Sequence, residues 1–272
     1  MTLEFMRTAE AVAREAGQFL KDFAHSRRLD VSAKGSEYDF VTNADRESQA
    51  LIFRRIGEKY PQHRLIGEED NLSDAEIACM LAQAGPEEYF WIVDPLDGTI
   101  NYIRHLSSYA VSVGLVNRGR CVAGAVYVPA EDAMYSAALG EGAYLNGTPI
   151  HASDCDSLSR ALTGTGAPVA DMAMRRRFTA WAREVAMRTL SLRMLGCAAQ
   201  ALALAACGAV DAHWEMGLHP WDVAAGLILA QEAGCMITDL WGKPYSFDGR
   251  GGILVSAPGI HGALCRAIAE AE

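Results

Sequence analysis

Residues 91–99 read Trp91-Ile92-Val93-Asp94-Pro95-Leu96-Asp97-Gly98-Thr99. A β-favouring run that begins at Tyr89 and Phe90 leads into Asp94, Pro95 ends the strand by removing a ladder donor, and Ile100-Asn101-Tyr102 can begin a short helix. That order gathers two carboxylates, the main-chain carbonyl of Leu96 and a helix N-terminus at one spot. Carboxylate and carbonyl oxygens suit a hard cation, and the N–H groups of Gly98 and Thr99 suit an anion. The same residues are also ordinary turn chemistry, Asp and Pro setting a bend and Gly supplying permissive backbone.

Working outward, carboxylates recur in Gly67-Glu68-Glu69, in Trp221-Asp222 and in Asp39-Phe40-Val41-Thr42-Asn43-Ala44-Asp45, each among apolar or turn-forming neighbours. Taken singly, Glu68-Glu69 reads as the first turn of a surface segment, and Asp222 as a complement to the dipole of a helix starting near Pro220. Gathered, they need a counter-charge. Two bare carboxylates about 4 Å apart repel by roughly 4 kcal/mol at an effective dielectric of about 20, so a cluster is tolerable mainly when divalent cations neutralise it. A magnesium site is the leading expectation.

The 272 residues are 50% hydrophobic, enough for a large core in one big domain or two closely packed halves. Apolar stretches stop well short of the roughly 20 residues of a membrane span, and Met1–Arg7 alternates charged and apolar residues where a signal peptide would be continuous. A cytoplasmic protein with no membrane partner is expected. The seven cysteines are odd in number and widely spaced, with no Cys-x-x-Cys pair, which argues against structural zinc and a disulfide framework. A formal charge of −10 argues against a general nucleic-acid surface. The one dense basic run, Arg175-Arg176-Arg177, reads as a solvated helix face.

Apolar spacing predicts helices over 2–24 and 44–59 with an irregular loop over 31–43 between them, a short run at 64–67 and a helix at 73–83. Residues 107–147 alternate in several passes, with Asn117-Arg118-Gly119 and Asn146-Gly147 as hairpin turns, and so predict an antiparallel meander. Past residue 155 strands alternate with helices: strands at 161–165, 190–195, 209–215, 235–240 and 252–256, helices at 172–187, 197–207, 220–233 and 259–271. The alanine-rich 197–207 helix lacks large side chains, so close packing on a sheet is its expected use. Lobes at 1–150 and 151–272, packed as one compact unit, are the expected organisation.

Asp39–Asp45, Ile66–Glu69, Trp91–Thr99 and Trp214–Gly226 together resemble the inositol monophosphatase family over nearly the whole chain. The second and third passages match the wider superfamily of lithium-sensitive, magnesium-dependent phosphatases, and Glu215-Met216-Gly217-Leu218-His219-Pro220-Trp221-Asp222 narrows the match to this branch. The resemblance implies an α/β fold, a layered α+β sandwich of the fructose bisphosphatase and inositol monophosphatase type. It implies that Glu68, Asp94, the Leu96 carbonyl, Asp97 and Asp222 hold Mg2+ ions, Asp94 bridging two of them. Gly98 and Thr99 would receive the phosphate, Asp45 would orient the Thr99 hydroxyl toward water, and Glu69 would support the outer ion and its waters. Lys34, in the loop with Glu37 before Asp45, would approach the phosphate.

Gly196, Cys197, Ala198 and Glu215 would line the substrate pocket, with Glu215 and Asp97 accepting hydroxyl hydrogen bonds from a small phosphorylated polyol or sugar. Two departures bear on that substrate. Cys197 stands where the family more often has a hydroxyl residue, and Leu162–Pro168 lacks the serine and arginine often found after this strand. Among the histidines, His25, His63, His105, His151 and His261 lack metal-ligand spacing, whereas His219 can orient Asp222 or cap its helix. The implied reaction is hydrolysis of a phosphate monoester, most directly inositol monophosphate, with lithium inhibition and a homodimer as family properties. Histidinol phosphate, fructose 1,6-bisphosphate and 3′-phosphoadenosine 5′-phosphate are alternative substrates. A regulatory binding protein of transcription complexes on the same fold is the alternative of another class.

Overall fold

A computed structural model describes residues 1–26, 29–33, 40–167, 172–248 and 252–271; Lys34, Glu37, Asp39 and Pro168 lie outside them, as does the side chain of His25. The chain runs α1 (Thr2–Ser26), β1 (Val31–Ala33), β2 (Phe40–Thr42), α2 (Asn43–Lys59), β3 (Arg64–Gly67), α3 (Asp74–Gln83), β4 (Tyr89–Asp97) and α4 (Thr99–Ile103). Next come β5 (Ala110–Asn117), β6 (Arg120–Val128), β7 (Ala133–Ala138), β8 (Gly142–Leu145) and β9 (Thr148–Ile150). The remainder alternates as β10 (Leu162–Thr165), α5 (Met172–Arg188), β11 (Ser191–Met194), α6 (Ala198–Ala206), β12 (Ala212–Glu215), α7 (Pro220–Glu232), β13 (Met236–Thr238), β14 (Ile253–Ser256) and α8 (His261–Ala269).

Strands β3 to β9 form one sheet in sequence order, antiparallel except for the parallel pair β3–β4, and β11-β10-β12-β14-β13 form a second, mixed sheet. The meander is present, and its turns carry positive φ at Arg118 and Gly119 and at Asn146 and Gly147, the backbone that two-residue hairpins require. Two expectations change. The loop predicted over 31–43 contains the pair β1–β2, and β4 does not stop at Pro95: its ladder with β5 is interrupted after Asp94 and resumes at Asp97 opposite Ala110.

Alternation along each strand builds the layers. Trp91 and Val93 pack with the apolar face of α1 (Phe5, Ala9, Val12, Ala16, Leu20) and with Ile52 and Ile56 of α2, while Phe90 and Ile92 face α6 and α7. Ile253 and Val255 of the second sheet join that same α6–α7 layer, and Ala212, Trp214 and Leu254 pack on Trp181 and Val185 of α5 and Leu264 of α8. The order is therefore helix, sheet, helix, sheet, helix. Helix α7 is central and buried nearly all round. Small residues make this possible: a Cβ on Gly114 would stand 2.7 Å from Cβ of Ala224, and one on Gly226 would stand 2.6 Å from Cδ1 of Leu202. The alanine-rich α6 thus makes its close approach chiefly to α7, as well as to strands.

All seven cysteines are free. Arg176 and Arg177 lie exposed on α5, Arg177 over the Trp181 ring at 5.0 Å. Among the described residues no helix is long and apolar enough to cross a membrane.

Candidate active site

Because β3 and β4 run parallel with Gly67 opposite Val93, Glu68 leaves the end of β3 beside Asp94 of β4. The turn at Glu68–Asp70 is pinned from α2. Oε1 of Gln49 accepts the Glu69 N–H at 3.0 Å, its Nε2 donates to Asp70 at 2.9 Å, and a Cβ on Gly67 would lie 2.1 Å from that Oε1. Gly67 thus leaves room for the Gln49 amide that pins the turn carrying both glutamates.

Helix α2 begins at a cap that also sets Asp45. Oδ2 of Asp45 accepts from the Thr42 N–H at 2.9 Å and from its hydroxyl at 2.5 Å, which leaves Oδ1 to accept from the Thr99 hydroxyl at 3.1 Å. Ser48 donates to the Pro95 carbonyl at 3.0 Å and fastens α2 to the Asp94–Asp97 bend. There Gly98 adopts φ +87°, and a Cβ would come within 2.8 Å of the Ser108 carbonyl oxygen and 3.3 Å of Cβ of Cys197. The chain can therefore enter α4 at Thr99 while touching Gly196 and Cys197.

Asp222 arrives on the first turn of α7. Ser112, directly across the ladder from Asp94, donates to the Trp221 carbonyl at 3.3 Å. His219 both caps and orients: its N–H donates to Oδ2 of Asp222 at 2.7 Å, its ring Nδ1 meets Asp74 of α3 at 2.8 Å, and the ring stacks on Trp221. The Asp74 bond raises the His219 pKa.

Carboxylate oxygens of Asp45, Glu68 and Glu69 all come within 4.8 Å of one another. Burial, followed by the charges of Glu68, Asp97 and Asp222, raises Asp94 well above the usual carboxylate range, with the Leu96 N–H opposing. Asp222 is raised in the same way by burial, Asp97 and Glu68, and Asp45 by burial and, more weakly, Glu68. Asp97 is pushed up to about 6 by burial, against the N–H of Ala199 and the Cys197 thiol, with Glu215 adding a further upward push. Each of these acids senses another of the set. An all-oxygen donor set in which carboxylates raise one another fits a hard divalent cation.

Asp97 also ties the second sheet's helices to the site, its Oδ2 accepting from the Ala199 N–H at 2.5 Å and from the Cys197 thiol at 3.2 Å. Asp97, Gly98, Gly196, Cys197 and Ala198 are therefore neighbours, and Glu215 is near enough for its charge to reach Asp97. Burial holds the Cys197 thiol well above its ordinary pKa. Of the other histidines, His63 accepts from Nε1 of Trp91, and His261 bridges the hydroxyls of Ser256 and Thr238. Trp91, Trp214 and Trp221 belong to three different core clusters.

Sequence reasoning missed Gln49, Ser112, Asn101 and His213. Asn101 shares its Nδ2 among the carbonyls of Ser108 (2.6 Å), Leu195 (2.8 Å) and Gly196 (3.2 Å), joining α4 to the start of α6. No motif marks a side chain that serves remote carbonyls. His213 could have been found from the strand period, standing two residues before Glu215.

A family model described as the inositol monophosphatase family matches residues 2–272. An inositol-1-monophosphatase of Mesorhizobium japonicum is 34% identical over 94% of this chain and 92% of its own length. Nus factor SuhB of Escherichia coli K12 is 34% identical over 87% of this chain and 85% of its own. The crystal structure of the extragenic suppressor protein suhB of Bartonella henselae superposes with a TM-score of 0.88 at 31% identity, covering 97% of this chain and 98% of that one.

Proposed function

This chain belongs to the inositol monophosphatase family and is a phosphoric monoester hydrolase, and from that premise we propose that it hydrolyses a small phosphorylated polyol, inositol monophosphate first among them, with Mg2+. What supports the reading is that Glu68, Asp94, Asp97 and Asp222, contributed by β4, α7 and the turn after β3, lie near enough for their charges to act on one another, with Asp45, Glu68 and Glu69 gathered beside them. Those carboxylates and the Leu96 carbonyl would hold the ions, with Glu69 beside them. Bound there, Mg2+ would neutralise phosphoryl oxygens, lower the pKa of an attacking water and stabilise the leaving alkoxide.

The chain's own part is positioning. Asp45, with one oxygen occupied by Thr42, accepts the hydrogen bond of the Thr99 hydroxyl on the other, so the Thr99 oxygen turns a lone pair to a water aimed at phosphorus. The N–H groups of Gly98 and Thr99 bind the phosphate, and Gly196, Cys197, Ala198 and Glu215 line the polyol side, between lobes of residues 1–150 and 151–272. A thiol at Cys197 is a poorer hydrogen-bond partner than a hydroxyl, which widens the range of alcohols beyond myo-inositol. Lithium inhibition, a homodimer and a cytoplasmic location accompany the reading as family expectations. Net charge −10 supports a small-molecule substrate over direct nucleic-acid binding.

The test is phosphate release from inositol 1-phosphate, histidinol phosphate, fructose 1,6-bisphosphate and 3′-phosphoadenosine 5′-phosphate, in Mg2+ and in EDTA. The inositol ester should be cleaved best, in Mg2+ alone, and Asp94→Asn should lose several orders of magnitude in turnover while remaining folded. Full activity in Asp94→Asn would refute the ligand assignment. The Escherichia coli relative named Nus factor supports a second reading, a regulatory binding role on the same fold. Capture of transcription proteins by wild type and Asp94→Asn alike would favour it.

A further inference from the structure

Strand β12 sends two polar side chains to one face. His213 and Glu215 are two residues apart, and their ladder partners, Val255 and Ile253, belong to the apolar cluster that contains Ala199, Leu202 and Ala203 of α6. His213 is 1% exposed. Its Nε2 lies 3.0 Å from Oε2 of Glu215, while its Nδ1 is buried with no hydrogen-bond partner among the described residues. A carboxylate oxygen accepts, so the bond places the hydrogen on Nε2, and Nδ1 looks onto Gly164.

Glycines make room for both groups. Gly164 pairs with His213 across the ladder, and a Cβ there would stand 3.0 Å from Nδ1; a Cβ on Gly166 would fall 1.8 Å from Oε1 of Glu215. The Glu215 carboxylate is thus lodged between an imidazole donor and bare backbone. A phenyl ring would fill the His213 site with no hydrogen to donate, so what the imidazole adds there is the bond to Glu215.

The geometry points to His213 as a positioning residue that fixes the Glu215 carboxylate, so that the pocket selects phosphate esters whose alcohol carries a further hydroxyl group over esters of simple phenols. This selectivity rests on the polyol-phosphate reading above. The His213–Glu215 bond stands apart from it.

Kinetics in Mg2+ with inositol 1-phosphate and p-nitrophenyl phosphate test it in wild type, His213→Phe and His213→Gln. His213→Phe should lower the ratio of kcat/KM for the inositol ester to that for the phenyl ester by about tenfold, chiefly through KM, the order expected for a hydrogen bond to a charged group. His213→Gln, whose amide can donate to the same carboxylate, should restore most of it. A ratio unmoved by His213→Phe, or lost equally in both variants, would overturn the proposal. Imidazole 1H–15N spectra supply a readout without turnover: His213 should show a protonated Nε2, with a signal that shifts in Glu215→Gln. An Nε2 without its hydrogen, or a signal indifferent to that change, also overturns it. A wild type that cleaves neither ester overturns the selectivity together with the phosphatase reading, and the spectra then test the His213–Glu215 bond by itself.

Discussion

Oγ1 of Thr99 stands 3.1 Å from Oδ1 of Asp45 and, equally, 3.1 Å from the carbonyl oxygen of Leu96. One hydroxyl proton faces two acceptors. If the Leu96 carbonyl serves a cation, the proton goes to Asp45 and the Thr99 oxygen is turned to accept from water.

Thr99→Ala is therefore expected to lower kcat by about 100-fold, within the range of a lost general acid–base group, with KM changed only a few-fold. Thr99→Ser keeps the hydroxyl and should retain most activity. Initial rates in saturating Mg2+ decide it; a Thr99→Ala enzyme with wild-type kcat would detach this pair from the chemistry.

A second prediction concerns pH. Asp97 is raised to about 6, and Asp94 and Asp222 well above their ordinary values, chiefly by burial. An unfolded carboxylate titrates near about 3.9, so between there and the folded values the native chain binds more protons than the unfolded one. Stability then falls as pH rises through that window, by up to about 1.4 kcal/mol per pH unit for each proton so coupled. In EDTA, Tm should climb as pH is lowered from about 7.5 to about 5. In saturating Mg2+ the trend should flatten or reverse, because ions hold the carboxylates ionised and protons compete with them. A Tm in EDTA that drops on this acidification would contradict the metal-free burial of these acids.

A third concerns the seat of α7. Gly114 lies beneath Ala224, and an added Cβ would also meet the Ala224 carbonyl carbon at 2.8 Å. Gly114→Ala should cost about 1–3 kcal/mol as overpacking and push the helix that carries Asp222 off the sheet. Both a lower Tm and a higher Mg2+ requirement for half-maximal stabilisation are expected. Loss of Tm with an unchanged Mg2+ titration would show that Asp222 does not move.

Asn101 provides a fourth. Asn101→Leu removes the amide that holds the carbonyls of Leu195 and Gly196, freeing the turn in which Gly196 adopts φ +70°. KM for the polyol ester should rise about tenfold, with kcat falling less, since the pocket wall loosens while the carboxylates stay in place. A KM within twofold of wild type would mean that α6 alone holds the wall.

Much of the arrangement was legible from local rules. Hairpin turns at 117–119 and 146–147, the amphipathic first helix and the strand into Asp94 follow from short-range sterics and apolar period, and all appear. The stop assigned to Pro95 was overruled because a missing N–H interrupts a ladder locally, while the chain beyond it can pair again, as Asp97 does with Ala110. The short strands β1, β2 and β9 carry too few residues for a period to register.

Residue chemistry flagged the acids at positions 45, 68, 69, 94, 97 and 222 as carboxylates set among apolar or turn-forming neighbours, and the resemblance to the inositol monophosphatase family supplied their roles. Their meeting is a matter of long-range packing: the register of Gly67 on Val93, the seating of α7 on Gly114, the tie from Ser112 to Trp221 and the cap that Asp97 places on α6. Such contacts depend on shape complementarity between elements distant in the chain, which no local pattern encodes. His213 shares a strand face with Glu215 by the local period, and it becomes the partner of that carboxylate once Gly164 of the neighbouring strand and Gly166 just past its end open space for both side chains.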